Sequence, residues 1–155
     1  MPMIKTADGA FYEYRFIATF QETNLVGNIY FANYAGWQGK CREMFIYEYC
    51  PEVITEIKQG LGLITLDLSI QYVSQLFAFD TVVMRMSLEA QSESRLMMNF
   101  DYYREEDKNL VLVCRGHQAT AAVREVNGTL MPVRFPDSML QAIEAYKALD
   151  ATCDR

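Results

Sequence analysis

In the stretch ITLDLSIQYV, residues 64–73, apolar side chains fall at every second place: Ile64, Leu66, Leu68, Ile70 and Tyr72. Thr65, Asp67, Ser69 and Gln71 take the places between them. A helix cannot gather that pattern on one side. A half-buried antiparallel strand does, because successive side chains point to opposite faces. The same period recurs along the chain. Tyr12, Tyr14, Phe16, Ala18 and Phe20 share one face, Val82, Met84, Met86 and Leu88 another, and Leu96, Met98, Phe100 and Tyr102 a third. A last run extends from about Leu110 to Val126, between EEDKN and NG. QSES and EEDKN read as hairpin turns, and Asn127-Gly128 as a tight type I′ turn.

From about Asn33 to Tyr49 the period becomes helical, with Trp37, Cys41, Met44, Phe45 and Glu48 at the required spacings. Asn33 suits the N-cap and Pro51 stops the run. Phe45, Ile46 and Tyr49 widen the apolar surface beyond one stripe, so the expectation is a helix buried most of the way round. A second helix is expected over about Pro136 to Leu149, amphipathic through Met139, Leu140, Ile143 and Tyr146. Strand, long helix, then four or five antiparallel strands predict an α+β arrangement, a curved sheet wrapped around a central helix. With 155 residues and no linker, repeat or low-complexity tract, one domain is expected over 11–150, with a flexible N-terminus at 1–10 and a tail at 151–155.

The composition excludes several functions. A hydrophobic fraction of 51%, 13% of the chain being aromatic, describes a globular chain. No apolar run approaches the roughly 20 residues of a membrane span. MPMIKTADGA lacks the apolar segment of a signal peptide, which makes the cytoplasm the expected location. The four cysteines are scattered, without metal spacing, and read as free thiols, Cys41 and Cys114 as small core residues. A net charge of −6 argues against nucleic-acid binding, although Lys40 with Arg42, or Arg115, Arg124 and Arg134, could assemble a local basic patch. His117 lies mid-strand without a partner at ligand spacing and reads as structural. There is no Ser-His-Asp set, phosphate loop or metal-ligand cluster.

FQETNLVGNIYFANYAGWQGKCREMF, residues 20–45, carries the chemistry. It resembles the active-site signature of the hotdog-fold thioesterases of the 4-hydroxybenzoyl-CoA thioesterase type, a strand followed by D-x-x-G-x-V/I-Y/W-x-x-x-Y. TNLVGN and WQG-CRE make it most similar to the enediyne polyketide thioesterases. The resemblance implies a hotdog fold without a cofactor. It also implies a homo-oligomer, usually a tetramer built as a dimer of dimers, with active sites at the dimer interface. It implies release of a polyene chain from the acyl carrier domain of an iterative polyketide synthase. Hydrolysis of the β-keto thioester leaves a β-keto acid that readily loses CO₂.

Site residues follow from the motif. Asn24 stands where many relatives carry a catalytic Asp, and an amide cannot act as a general base. The resemblance assigns Asn24 to orienting water or holding the carbonyl, and places the backbone N–H of Phe31 as an oxyanion-hole donor. Gly27 permits the tight turn ahead of the helix start, whose partial positive charge favours an oxyanion. Arg42 offers a fixed cation to the developing charge or to a β-keto oxygen. Tyr34 and Thr65 match positions that line the substrate channel in the enediyne group, and equally suit core packing or a cross-strand contact. Another branch that this motif resembles puts a catalytic Glu on the central helix. Glu43, however, lies about 100° around the helix from the Tyr34, Gln38 and Arg42 face and reads as a charge at the helix edge or in an ion pair.

Plainer roles stand beside these: Asn24, Asn28 and Asn33 as turn and cap residues, and Arg42 as an interface ion pair. Two other functions are open. A general acyl-CoA thioesterase would need basic residues for the CoA phosphates. A non-catalytic hotdog subunit would only bind an acyl chain or carrier. A dehydratase would need an Asp/Glu–His pair that His117 does not supply. Nine methionines among aromatic strand positions are compatible with a long flat ligand. An acidic carrier would require a positive rim on so acidic a chain.

Overall fold

Two hairpin turns show how local chemistry sets the sheet in the computed structural model, which describes residues 3–153. Asn127 and Gly128 have φ of 52° and 80°, and Asp107 and Lys108 have 49° and 67°. Both pairs lie in the left-handed region that a type I′ turn demands, and its twist matches that of the flanking strands. The elements are β1 (Met3–Thr6), β2 (Gly9–Ile17), a 3₁₀ turn (Phe20–Glu22), α1 (Asn33–Tyr49), α2 (Glu52–Lys58), β3 (Gly62–Tyr72), β4 (Thr81–Ala90), β5 (Arg95–Glu106), β6 (Asn109–Val126), β7 (Thr129–Pro132) and α3 (Asp137–Ala151). The strands form one antiparallel sheet in the order β1-β2-β4-β5-β6-β3, with β7 also beside β6.

This is the expected α+β hotdog arrangement. Met84, Met86, Leu96, Met98, Phe100 and Tyr102 are buried in one core with Trp37, Cys41 and Phe45 of α1. Edge-on aromatic contacts tie helix to sheet: Phe16 to Trp37 at 4.8 Å and Tyr12 to Phe45 at 5.7 Å between ring centroids. At the far edge α3 is fastened through Ala10, whose N–H donates to Asp150 Oδ1 and whose carbonyl accepts from Tyr146 Oη, both at 2.9 Å. No helix among the described residues is long and apolar enough to cross a membrane.

Several sequence expectations need correction. α1 buries one face, Tyr34, Trp37, Gln38, Cys41 and Phe45, while Lys40, Glu43 and Tyr47 are exposed. Asn33 is the first helical residue and not the cap. Ala32 holds the N-cap place without a side-chain bond, and Asn33 Nδ2 donates to the Glu22 carbonyl at 2.7 Å. Pro51 ends α1 and also opens α2, a short helix that the periodicity did not announce. β7 and β1 are further additions, and β1 lies in the stretch set apart as a flexible N-terminus. β2 stops at Ile17, so Phe20 lies in the 3₁₀ turn, exposed.

A bulge between Thr65 and Asp67 divides the face read for β3. Thr65, Leu68, Ile70 and Tyr72 oppose Thr120, Gln118, Gly116 and Cys114, whereas Ile64 opposes Ala121 on the other face. β3 is also an edge strand with Leu66 and Leu68 exposed. Such an edge presents unpaired backbone groups to a further strand.

Candidate active site

The loop from β2 to α1 is held by Glu22. One carboxylate oxygen accepts from the Thr19 N–H at 3.0 Å and its hydroxyl at 3.1 Å, and the other from Trp37 Nε1 at 2.8 Å. Its backbone carbonyl accepts from the Tyr30 N–H at 2.9 Å and from Asn33 Nδ2. The motif is thereby pinned against the first two turns of the helix.

Asn24 begins a tight turn within this loop. Its Oδ1 accepts from the Val26 N–H at 2.9 Å and its carbonyl from the Gly27 N–H at 3.0 Å, while its own N–H donates to the Asn28 carbonyl at 3.0 Å. The turn role is therefore real, yet it uses only the oxygen of the amide. Nδ2 has no partner among the described residues. Gly27 has φ of +91° with no atom within 4 Å of where a Cβ would stand, so conformation and not space demands glycine. Gly27→Ala is expected to cost about 1 kcal/mol and lower the melting midpoint by roughly 2–4 °C in a thermal scan.

Beyond the turn, the Phe31 carbonyl accepts from Tyr72 Oη at 2.7 Å, while its N–H lacks an acceptor among the described residues. A cleft of about 250 Å³ opens here between Asn28, Phe31, Tyr34 and Tyr72. Tyr34 is chiefly a core residue, its ring 5.1 Å from those of Trp37 and Tyr72, with burial pushing its phenol up to about 12. Asn28 pairs with Phe77 across an isolated bridge and leaves a buried Oδ1 without a partner.

Arg42 lies elsewhere. Its Nη1 donates to Gln118 Oε1 at 2.8 Å, Thr65 Oγ1 at 3.1 Å and Thr120 Oγ1 at 3.3 Å. Nε is buried without an acceptor. Burial lowers the pKa of this guanidinium, and Glu43, its neighbour in sequence, offsets that in part. An arginine nonetheless remains protonated at neutral pH. No carboxylate among the described residues comes within ion-pair distance of it. The half-buried cation is thus held by neutral oxygens, which replace part of its hydration without cancelling its charge. Glu43 is exposed and likewise without an ion pair among the described residues.

The structure joins Thr65 to Arg42, Asn24 to Gly27 within one turn, and Phe31 to Tyr34 at one cleft, but it separates the Arg42 group from Phe31. From Asn33 to Arg42 the helix rises about 14 Å. Along β3, from Tyr72 beside Phe31 to Thr65 beside Arg42, the strand covers roughly 20 Å. One thioester carbonyl cannot touch both groups within a single chain.

Other candidates fall away. Burial raises Cys50 and Cys114 to about 12 and Cys41 further, which leaves them protonated and poor nucleophiles. His117 Nδ1 lies 3.0 Å from Asn99 Oδ1 across the β5–β6 ladder, a structural contact. Arg124 pairs with Glu56, Arg134 with Glu93 and Asp137, and Arg115 with Asp101, so those three cations make no open basic patch. Lys40, without an ion pair among the described residues, borders a second cleft beside Tyr14, Phe16 and Trp37. Gln38, Gln118 and Thr120 were missed as site residues. Their signal was faint: polar residues at places where the alternation of β6 and the helical period call for apolar ones.

The profile of the thioesterase-like superfamily matches residues 18–143, well over half of the chain. A crystal structure of the dynemicin thioesterase, from work on induced-fit and allosteric effects upon polyene binding, is similar at 39% identity. It covers 88% of this chain and 96% of that one, with a TM-score of 0.83. A 1,4-dihydroxy-2-naphthoyl-CoA thioesterase from Synechocystis shares 14% identity over 88% of this chain and 98% of that one, at a TM-score of 0.75. The 4-hydroxybenzoyl-CoA thioesterase from Pseudomonas sp. strain CBS-3 shares 15% over 85% and 98%, at 0.72. At such identities these last two speak for the fold alone. No curated protein matches the chain.

Proposed function

The chain belongs to the thioesterase-like superfamily, and from that membership we propose that it hydrolyses a β-ketoacyl thioester carried on the acyl carrier domain of an iterative polyketide synthase, releasing a polyene chain. The observation that carries the reading is the half-buried guanidinium of Arg42, held by neutral groups with no carboxylate at ion-pair distance among the described residues. The choice of acyl chain is supported by likeness to a relative studied for polyene binding.

In this mechanism the thioester carbonyl lies against the Phe31 N–H at the start of α1, where the helix dipole favours negative charge. Asn24 Nδ2 donates to the same oxygen or steadies the attacking water. Water adds to the carbonyl carbon, the C–S bond breaks, and the carrier leaves as its thiol. The free β-keto acid then loses CO₂. A thioester is already electrophilic enough for positioning and charge stabilisation to serve without a carboxylate base. Arg42 belongs to the site of a second copy, reached by joining chains along the β3 edge, and dimers pair into tetramers. Thr65 travels with Arg42, and Tyr34 with Phe31, as substrate-lining residues. Lys40 supplies a positive point at the rim for an acidic carrier. The enzyme works in the cytoplasm and needs no cofactor.

Single-turnover hydrolysis of one β-ketoacyl group on a carrier domain and on CoA, with products identified by mass, tests this. Faster cleavage from the carrier is expected. A preference for CoA would move the enzyme to the general acyl-CoA thioesterases, and binding without turnover would make it an acyl-holding subunit. Asn24→Asp is a second test. The carboxylate keeps an acceptor for the Val26 N–H but removes the free donor, so kcat is expected to fall about 10²-fold. A gain in rate would show that only a base was lacking.

A further inference from the structure

Gly116 has no side chain because another side chain takes its space: a Cβ there would stand 2.1 Å from Gln38 Nε2 and 3.0 Å from Gln38 Cδ. Gln38 is fully buried on the sheet face of α1, and its Nε2 donates to the Ser69 carbonyl at 3.4 Å. Its Oε1 accepts from Gln118 Nε2 at 3.4 Å. That bond fixes which end of the Gln118 amide faces which neighbour, because an amide that donates at one end must accept at the other. The carbonyl end is left facing Arg42 at 2.8 Å, and Gln118 is only 2% exposed. Thr120 is set in the same way: its hydroxyl donates to the Ile64 carbonyl at 2.8 Å and so turns a lone pair to Arg42.

We propose that Gln118, oriented by Gln38, is a positioning residue that holds the Arg42 guanidinium in place without neutralising it. Gln118 is thereby the residue that keeps the cation available to an anionic or enolate oxygen of the substrate. The proposal rests on the reading of Arg42 given above. A carboxylate at this place would grip Arg42 more firmly, as charge-assisted pairs do, and would cancel its field. A neutral acceptor gives geometry and leaves the charge. Nη1 is spent on the cage, while Nη2 has no partner among the described residues and is the edge offered to substrate.

The test uses Gln118→Glu, Gln118→Met and Arg42→Met in the full-length protein, with thioester hydrolysis and thermal unfolding measured for each. Gln118→Glu is expected to melt at or above the wild-type midpoint and to lose about 10²–10³-fold in kcat with little change in KM. Adding Arg42→Met to it is expected to cost nothing further, because both act through one group. Gln118→Met keeps the volume and removes the acceptor. It is expected to lower kcat at least tenfold, and it decides the matter if the carboxylate variant does not fold. Wild-type kcat in Gln118→Glu, or in a folded Gln118→Met, beside an inactive Arg42→Met overturns the role of Gln118 and leaves that of Arg42 standing. Parallel losses of stability and activity in both Gln118 variants, additive with Arg42→Met, would reduce Gln118 to packing. Full activity in Arg42→Met removes the catalytic reading of that residue, and the proposal with it.

Discussion

Arg42→Met is expected to lower kcat for thioester hydrolysis by about 10²–10³-fold while the protein stays folded and its melting midpoint holds or rises. Three features lead to this. The guanidinium is partly desolvated, which makes any charge it meets count for more than in water. Its Nη1 is fixed by Gln118, Thr65 and Thr120, so little reorganisation is needed when negative charge develops on the substrate. It also lacks a carboxylate partner, so its removal strands no opposite charge. Methionine preserves the aliphatic stem and removes a half-buried cation. This is a case where activity and stability pull apart. A loss of stability alongside unchanged hydrolysis would show that Arg42 is a structural residue.

Mixing two inactive variants is expected to restore activity. Asn24 lies in the loop ahead of α1 and Arg42 about 14 Å along that helix from its start, so the proposed site draws them from two copies. When Asn24→Ala and Arg42→Met chains, each with its own tag, are co-expressed and exchange freely, half of the dimers contain one of each. In those, one of two sites regains both residues, and the pool should recover about a quarter of wild-type activity. Isolated mixed dimers should reach half. If both residues served a site within one chain, no mixed dimer would contain an intact site, and the mixture would remain at the level of the single variants.

Much of this was legible in the sequence, for reasons that differ from element to element. The inward residues of β4, and of β5 as far as Tyr102 where its pairing with β6 shifts register, alternate because both strands are central and paired on both sides. Asn127-Gly128 announced its turn because few residue pairs tolerate positive φ twice in succession. The motif around Asn24 and Gly27 was visible because a tight turn needs its residues next to one another in the chain. The faces of β3 were harder to read, since a bulge is set by the partner strand and shifts the period by one residue. α2 was hidden because the proline that stops one helix also starts the next.

The chain alone therefore determined what depends on neighbours in sequence: strand and helix periods, the hairpin turns, and the loop that places Asn24 ahead of the Phe31 amide. Only the tertiary structure decided what depends on residues far apart. It put Gln118 and Thr120 of β6 around Arg42 of α1, denied that cation a carboxylate, and paired off Arg115, Arg124 and Arg134. It also parted Arg42 from Phe31 by about 14 Å along the helix. The physical reason is the range of the forces. Backbone conformation answers to a few adjacent residues, whereas the field and hydration of a charge answer to whatever folding brings within a few ångströms.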